Sequence, residues 1–134
     1  MNDFRAAVEA GDYAALGDLL AEDVVFRSPV AFKPYEGRAI VAAILRGVGR
    51  VFTDFRYVRE LEDADGRGSA LVFETYADGV SLHGIDLIRT NDAGLISELT
   101  VMVRPLSAAN ALAQAMAAQF PQIQAEAVAD MTGE

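Results

Sequence analysis

The sequence predicts an α+β domain in which helices flank a run of antiparallel strands. Three tight-turn signals, at residues 65–66, 78–79 and 91–94, use side chains that tolerate positive φ. An amphipathic helix precedes the strands and an alanine-rich helix follows them. Because no linker, repeat or low-complexity run divides the chain, we expect residues 1–134 to form one domain.

Two short helices and a strand are predicted to open the chain. The apolar residues of the helices recur at helical spacing: Phe4, Ala7, Val8, Leu16, Leu19 and Leu20. Gly11 is expected to end the first helix, and Asp12 can cap the second. Residues 24–28 are short and β-branched and precede Pro29, so they predict a strand that runs into the apolar loop 29–36.

A third helix and four strands are predicted next. The helix lies between Arg38 and Gly49, with a buried stripe formed by Ile40, Val41, Ile44, Leu45 and Val48. The four predicted strands cover residues 53–62, 69–77, 80–90 and 95–104.

An alanine-rich helix is predicted to close the chain. Pro105 ends the sheet, and Ser107 is the expected N-cap. Pro121 lacks the backbone N–H that a helix interior needs, so we expect the helix to end near Phe120. The tail from about residue 122 is expected to fray.

The turn residues also predict how the central strands pair. A two-residue turn at 78–79 places Leu71 opposite Asp86, and a four-residue loop at 91–94 places Leu99 opposite Asp86. One face then collects Leu71, Phe73, Thr75, Leu82, Gly84, Asp86, Ile88, Leu99, Val101 and Val103. Asp86 is the only ionisable side chain in this apolar set.

The opposite face is chemically mixed, which suits a subunit interface. We expect a homodimer through Glu74, Tyr76, His83, Thr100 and Met102. Glu74 and His83 are predicted cross-strand neighbours. The faces of the strand at 53–62 stay open, because residues 54, 56, 58 and 60 face the apolar side after a simple turn, whereas a bulge or longer loop reverses them.

Composition and charge exclude several classes of function. A formal charge of −9 and a pI near 4.5 repel phosphate backbones and anionic lipids, so neither nucleic acid nor a membrane is an expected partner. With no cysteine and one histidine, a typical zinc or iron site is not expected, and no cofactor is implied. Without a signal-peptide pattern or an apolar run of ~18 residues, we expect a cytoplasmic protein.

Asp86 is the leading candidate for chemistry. An isolated charge on an apolar face is costly, and burial raises the pKa of a carboxyl group. The protonated side chain could donate a hydrogen bond to a ligand carbonyl or enolate. The alternative is a structural acid whose partner is a backbone group, Thr75 or Tyr57.

Three other features carry weaker signals. Ser28 has no histidine near it in sequence, which favours a hydroxyl that serves a strand-end turn over a nucleophile. His83 points away from the face that bears Asp86, which favours an interface role over a general base. Phe32 and Tyr35 either close over a cavity mouth as a lid or pack against the final helix.

Five segments carry a family resemblance through their order along the chain. They are VEAGD at 8–12, LLAEDVVF at 19–26, YEGRAI at 35–40, GIDLIR at 84–89 and VRP at 103–105. Together they resemble the nuclear transport factor 2-like superfamily, which includes ketosteroid isomerases and SnoaL-like polyketide cyclases. The resemblance implies a strongly bent antiparallel sheet that wraps a helix and forms a conical, cystatin-like cavity for an apolar small molecule.

The resemblance also implies roles for single residues. Asp86 matches the protonated aspartic acid that donates a hydrogen bond to the substrate oxyanion in ketosteroid isomerases. Ser28 stands where those enzymes have an aspartate base before a proline, and Phe4 stands where they have a phenol.

Two hypotheses result. The first is a SnoaL-like domain with an apolar pocket, acting as a cofactor-free isomerase, cyclase or dehydratase with Asp86 as acid or hydrogen-bond donor on a carbonyl substrate. The second is a non-catalytic ligand-binding or protein-interaction module that has lost the catalytic base. The predicted pocket residues are Phe4, Phe26, Ser28, Phe32, Tyr35, Tyr57, Phe73, Leu99, Val101 and Val103.

Overall fold

The structure, a computed structural model, describes residues 2–132. The helices are α1 (Asp3–Ala10), α2 (Tyr13–Leu19), α3 (Arg38–Val51) and α4 (Leu106–Thr132). The strands are β1 (Leu20–Arg27), β2 (Tyr35–Glu36), β3 (Phe52–Glu62), β4 (Gly68–Ala77), β5 (Val80–Thr90) and β6 (Ile96–Arg104).

All six strands form one curved sheet in the order β2-β1-β6-β5-β4-β3. β1 and β6 run parallel, and the other neighbours are antiparallel. The core lies between the inner face of this sheet and the helices, with α3 and α4 packed against each other. The predicted α+β class with a bent sheet around a helix is confirmed.

The β4–β5 hairpin has the predicted register. Asp78 and Gly79 have φ values of 53° and 75°, so both occupy the left-handed region that a tight two-residue turn requires. Leu71 therefore pairs with Asp86, as predicted, and Glu74 pairs with His83.

The predicted register of β5 with β6 is wrong by two residues. Asp86 pairs with Val101 instead of Leu99. Thr90 pairs with Ile96 rather than Leu95, which shifts the register by one residue, and a bulge between Arg89 and Thr90 and their partners on β6 adds the second. A shift of two residues leaves every side chain on its predicted face. Val101, rather than Leu99, is therefore the direct cross-strand neighbour of the acid.

The open question about β3 is answered by its bulges. Next to the hairpin, Glu60 pairs with Leu71, as a simple turn requires. The register then shifts between Tyr57 and Arg59, so the inward position passes from Val58 to Tyr57. Tyr57 is buried and Val58 is exposed. The bulge thus places the Tyr57 phenol on the inner face of the sheet.

The prediction that Pro121 ends the last helix is wrong. α4 is 27 residues long and continues through Pro121 to Thr132, while the last two residues of the expected frayed tail lie outside the described residues. A helix-interior proline costs about 3 kcal/mol. Burial of Ile123 and Ala127 and ion pairs between α3 and α4 offset this cost.

Smaller differences occur at other element ends. β1 begins at Leu20, which is fully buried in the sheet instead of completing α2. α4 begins at Leu106, one residue before the expected cap at Ser107. Within residues 2–132, none of the helices combines the length with the apolarity that crossing a membrane demands.

Candidate functional site

A partly enclosed cavity of about 130 Å³ lies between the inner sheet face and the helices. Its walls come from α1, α2, α3, α4 and five strands, so it is a feature of the whole fold. The lining residues are Phe4, Val8, Tyr13, Leu16, Phe26, Ser28, Pro29, Ile44, Leu45, Val48, Gly49, Phe52, Phe55, Tyr57, Phe73, Asp86, Val101 and Met116. Among these residues, Asp86 alone has a carboxyl or imidazole group.

Asp86 lies in the middle of β5 and is only 7% exposed. The Tyr57 hydroxyl donates a hydrogen bond of 3.1 Å to Asp86 Oδ2. Burial raises the pKa of the Asp86 carboxyl to about 7, and the Tyr57 hydrogen bond opposes that shift. Near neutral pH the acid therefore exists in both protonation states, which is the condition a general acid or hydrogen-bond donor needs.

Tyr57 is the polar partner of this acid. Burial is the main cause that raises its pKa far above the ordinary tyrosine value, and the nearby Asp86 charge adds to the effect. The phenol therefore keeps its proton at every physiological pH. Its ring also lies 5.5 Å from the Arg5 guanidinium, which pairs with Glu60 at 3.1 Å. Tyr57 thus contacts the Asp86 carboxyl group through its hydroxyl and the Arg5 guanidinium through its ring.

Phe52, Phe55 and Phe73 pack on one another in the cavity wall, and the last two also contact the Tyr57 ring. The ring centroids of Phe55 and Phe73 lie 5.0 Å apart, and Phe55 meets the Tyr57 ring edge-on at 4.9 Å. The Phe73 ring lies directly over Gly84, where an added Cβ would come within 2.3 Å of its Cζ. The glycine thereby leaves room on β5 for the far end of the Phe73 ring, two residues from Asp86.

The structure brings together most of the predicted pocket residues. The lining contains Phe4, Phe26, Ser28, Tyr57, Phe73, Asp86 and Val101. Of the three internal partners considered for Asp86, which were a backbone group, Thr75 and Tyr57, the structure shows Tyr57, whereas Thr75 donates to the Thr53 carbonyl. The roles of these residues in ligand binding stay predictions.

Four predicted pocket residues lie outside the cavity lining. Phe32 is fully exposed on the loop, so it neither lines the cavity nor covers it. Tyr35 stacks on Phe26 and meets Phe120 of α4, in line with the packing alternative. Leu99 is fully buried and pairs with Ile88 instead of Asp86, and Val103 pairs with Gly84.

Sequence reasoning missed several lining residues. Phe55 faces inward only because of a bulge in β3, which the turn residues do not predict, and Phe52 lies just before the predicted start of that strand. Tyr13 reaches the cavity by packing against Gly49, where an added Cβ would lie 2.1 Å from the tyrosine hydroxyl. The helical spacing of Tyr13 and Leu16 was a usable signal for this wall.

The weaker candidates have structural partners. Ser28 Oγ accepts a hydrogen bond of 3.1 Å from the Val30 N–H, which is a turn interaction next to the cavity. Glu74 forms its ion pair with Arg56, although His83 is its cross-strand neighbour. On the outer face, Tyr76 and Met102 are 37% and 53% exposed. The homodimer through this face stays a prediction.

Comparison with known proteins identifies the family. The family model described as SnoaL-like domain matches residues 1–99. Among solved structures, a steroid delta-isomerase from Pseudomonas aeruginosa is 42% identical, with a TM-score of 0.85 over 91% of this chain and 89% of that one. An uncharacterised bacterial protein with a cystatin-like fold from Silicibacter pomeroyi is 36% identical, with a TM-score of 0.82 over 92% and 91% of the two chains.

A cystatin-like protein from Xanthomonas campestris is 26% identical, with a TM-score of 0.64 over 81% of this chain and 91% of that one. None of the curated proteins matches. The family match covers well over half of the chain and agrees with the fold. This chain belongs to the SnoaL-like domain family, whose relatives share the cystatin-like, nuclear transport factor 2-like fold.

Proposed function

We propose that the cavity binds an apolar carbonyl compound and that Asp86, in its protonated form, donates a hydrogen bond to the carbonyl oxygen. The observation that carries this proposal is a buried carboxyl group with a pKa of about 7 at the wall of an otherwise largely apolar cavity. A neutral acid in a low-dielectric site is a strong donor to an oxygen that gains negative charge. Tyr57 holds one carboxyl oxygen, which leaves the other to face the ligand.

The reaction that fits this donor best is isomerisation of a β,γ-unsaturated ketone through a dienolate. A proton leaves the carbon next to the carbonyl, the charge moves to the oxygen hydrogen-bonded to Asp86, and a proton returns at the γ-carbon. The similarity to a protein described as a steroid delta-isomerase supports this class of reaction. Because the described lining offers no second carboxyl and no imidazole, a water molecule takes and returns the proton in this scheme.

A second function is favoured by that same lack of a protein base among the described lining residues. Here the domain binds the carbonyl compound without turning it over. Ser28, next to Pro29, offers a hydroxyl whose oxygen is already engaged by the Val30 N–H. A serine without an adjacent base is a poor proton acceptor.

One experiment separates these functions. Purified protein is mixed with β,γ-unsaturated ketones of several sizes, from cyclohex-3-enone to a 5-en-3-one steroid. Binding is followed by NMR and the conjugated product by its ultraviolet absorbance. Asp86→Asn is the test variant, and Asp78→Asn in the exposed β4–β5 turn is the matched control.

Turnover of any ketone that falls about 100-fold or more in Asp86→Asn and persists in Asp78→Asn supports the isomerase. Asp86-dependent binding without turnover supports the binding module. If neither binding nor turnover of any ketone depends on Asp86, both forms of the proposal are wrong.

A further inference from the structure

We infer that the site selects a carbonyl compound built on a single six-membered ring, and that the aromatic cluster Phe52, Phe55 and Phe73 sets this size limit. The inference rests on the proposed function, since it names the class of ketone that the Asp86 site accepts. Size enters as an independent property, because it follows from the cavity walls rather than from the acid.

The volume of the cavity is the first step. A cavity of about 130 Å³ is close to the roughly 150 Å³ that holds one benzene molecule in an apolar protein interior. Pockets for drug-sized molecules occupy about 300–1,000 Å³. A fused four-ring skeleton belongs to the second size class and a cyclohexenone to the first.

The aromatic cluster fills the space next to the cavity that a larger ligand would need. The centroid distances are 5.9 Å for Phe52 and Phe55, 5.0 Å for Phe55 and Phe73, and 5.8 Å for Phe52 and Phe73. The three rings therefore touch one another in a closed triangle and leave no gap for a further ring. Phe73 is almost fully buried over Gly84, so the triangle is anchored on the sheet.

Phe55 is the member of the triangle that best explains the limit. Its ring contacts both other phenylalanines and also the edge of the Tyr57 ring, so it stands beside the polar pair that would hold the carbonyl. It is half-buried and lines the cavity, unlike the fully buried Phe73. Truncation of this side chain removes one benzene-sized ring next to the ligand and leaves the anchor in place.

The position of the polar groups restricts the ligand further. Asp86 and Tyr57 form one bonded pair, and the wall contains many more apolar than polar side chains. A ligand with one carbonyl and an otherwise hydrocarbon ring satisfies this arrangement. A second strongly polar group that faced the cluster of Phe52, Phe55 and Phe73 would be desolvated there without a partner. The class is therefore a monocyclic enone rather than a polyoxygenated ring.

Binding of three ketones of increasing size tests the inference. The probes are cyclohex-2-enone, a bicyclic octalone enone and a four-ring 4-en-3-one steroid, each titrated into the protein and followed by NMR. We expect the monocycle to bind in an Asp86-dependent manner, the bicycle about tenfold or more weakly, and the steroid not measurably. Phe55→Ala should improve binding of the bicycle about tenfold, with little change for the monocycle.

Phe32→Ala is the matched control, because it removes the same ring from a fully exposed position and should change none of the three affinities. If Phe55→Ala does not fold, Phe55→Leu and the wild-type size series decide. A steroid that binds wild-type protein as tightly as the monocycle, with Asp86 dependence, overturns the size limit and leaves the proposed function standing. Equal affinities of Asp86→Asn and wild type for all three ketones overturn the proposed function instead.

Discussion

Two carboxyl groups of this chain face opposite environments. Asp86 lies inside the cavity with a phenol as its partner, and burial raises its pKa to about 7. Glu126 lies on α4, where the Arg46 and Arg50 guanidinium groups approach its oxygens at 2.8 and 3.2 Å. The Arg46 hydrogen bond is the main cause that lowers the pKa of Glu126. The fold thus favours the protonated form of the carboxyl group at Asp86 and the ionised form at Glu126.

The difference shows how the fold divides two tasks. Glu126 gains favourable partners by being charged, so it fastens the second half of α4 to α3. Asp86 has a neutral donor and apolar neighbours, so its charged form is the unfavourable one. A group that destabilises the folded state when ionised is an expected cost of a functional site.

The largest expected effect is on the pH dependence of stability. The raised pKa means that folded protein binds the Asp86 proton more tightly than unfolded protein does. Its stabilising contribution is therefore complete below the ordinary pKa of 3.8 and is lost as the pH rises to about 7. A difference of about three pKa units corresponds to about 4 kcal/mol. Asp86→Asn should lack this loss.

Urea unfolding at intervals between pH 4 and pH 8 measures that slope. The control Asp78→Asn, on the exposed turn, should keep the wild-type slope. Identical slopes in Asp86→Asn and wild type would mean that the acid does not titrate in this range.

A smaller effect is expected when the phenol is removed. Tyr57→Phe deletes the hydrogen bond that lowers the pKa of Asp86, so that pKa should rise by about one unit. At pH 8 the variant should lose about 2 kcal/mol of stability, because the ionised carboxylate is left without its donor. At pH 4 the loss should be smaller, since the acid is then neutral.

Carboxyl-carbon NMR titration of Asp86 reports the pKa directly. Tyr76→Phe removes a hydroxyl from the outer face of the neighbouring strand and serves as the control. An unchanged Asp86 titration in Tyr57→Phe would show that the 3.1 Å contact does not operate in solution.

Of the two carboxyl groups, only the environment of Asp86 could be predicted from the sequence. Strand parity and the turn at 78–79 suffice to place Asp86 on the apolar face, since the two-residue period is rigid once the turn is known. The sequence names Tyr57 only as one of several possible partners, because a simple turn places Val58 instead of Tyr57 on the inner face and a bulge in β3 reverses that parity. Sequence patterns within one strand cannot predict a bulge that is stabilised by packing against other elements.

The ion pairs of Glu126 with α3 could not be predicted from the sequence for a similar reason. Pro121 is a local signal for the end of a helix, and it is overruled by contacts with a distant segment. Ile123 packs so closely on Gly47 that an added Cβ there would lie 2.6 Å from Ile123 Cδ1. Helix propensity acts locally, whereas the contact of α4 with α3 includes Ile123 on Gly47 and the ion pairs of Glu126 with Arg46 and Arg50.

The smallest expected effect is on the α4 side of the comparison. Glu126→Gln removes the charge that pairs with Arg46 and Arg50 at a partly exposed position, so the loss at pH 7 should be about 1 kcal/mol or less. A lowered pKa stabilises the folded state above the unfolded pKa, and this contribution disappears as the pH falls through the folded value. The difference between variant and wild type should therefore vanish at acidic pH, which is the reverse of the sign expected for Asp86. Urea unfolding at pH 7 and pH 3 measures this difference, with Glu22→Gln at an exposed position of β1 as the control. A loss that persists undiminished at acidic pH would assign the role of Glu126 to packing instead of charge.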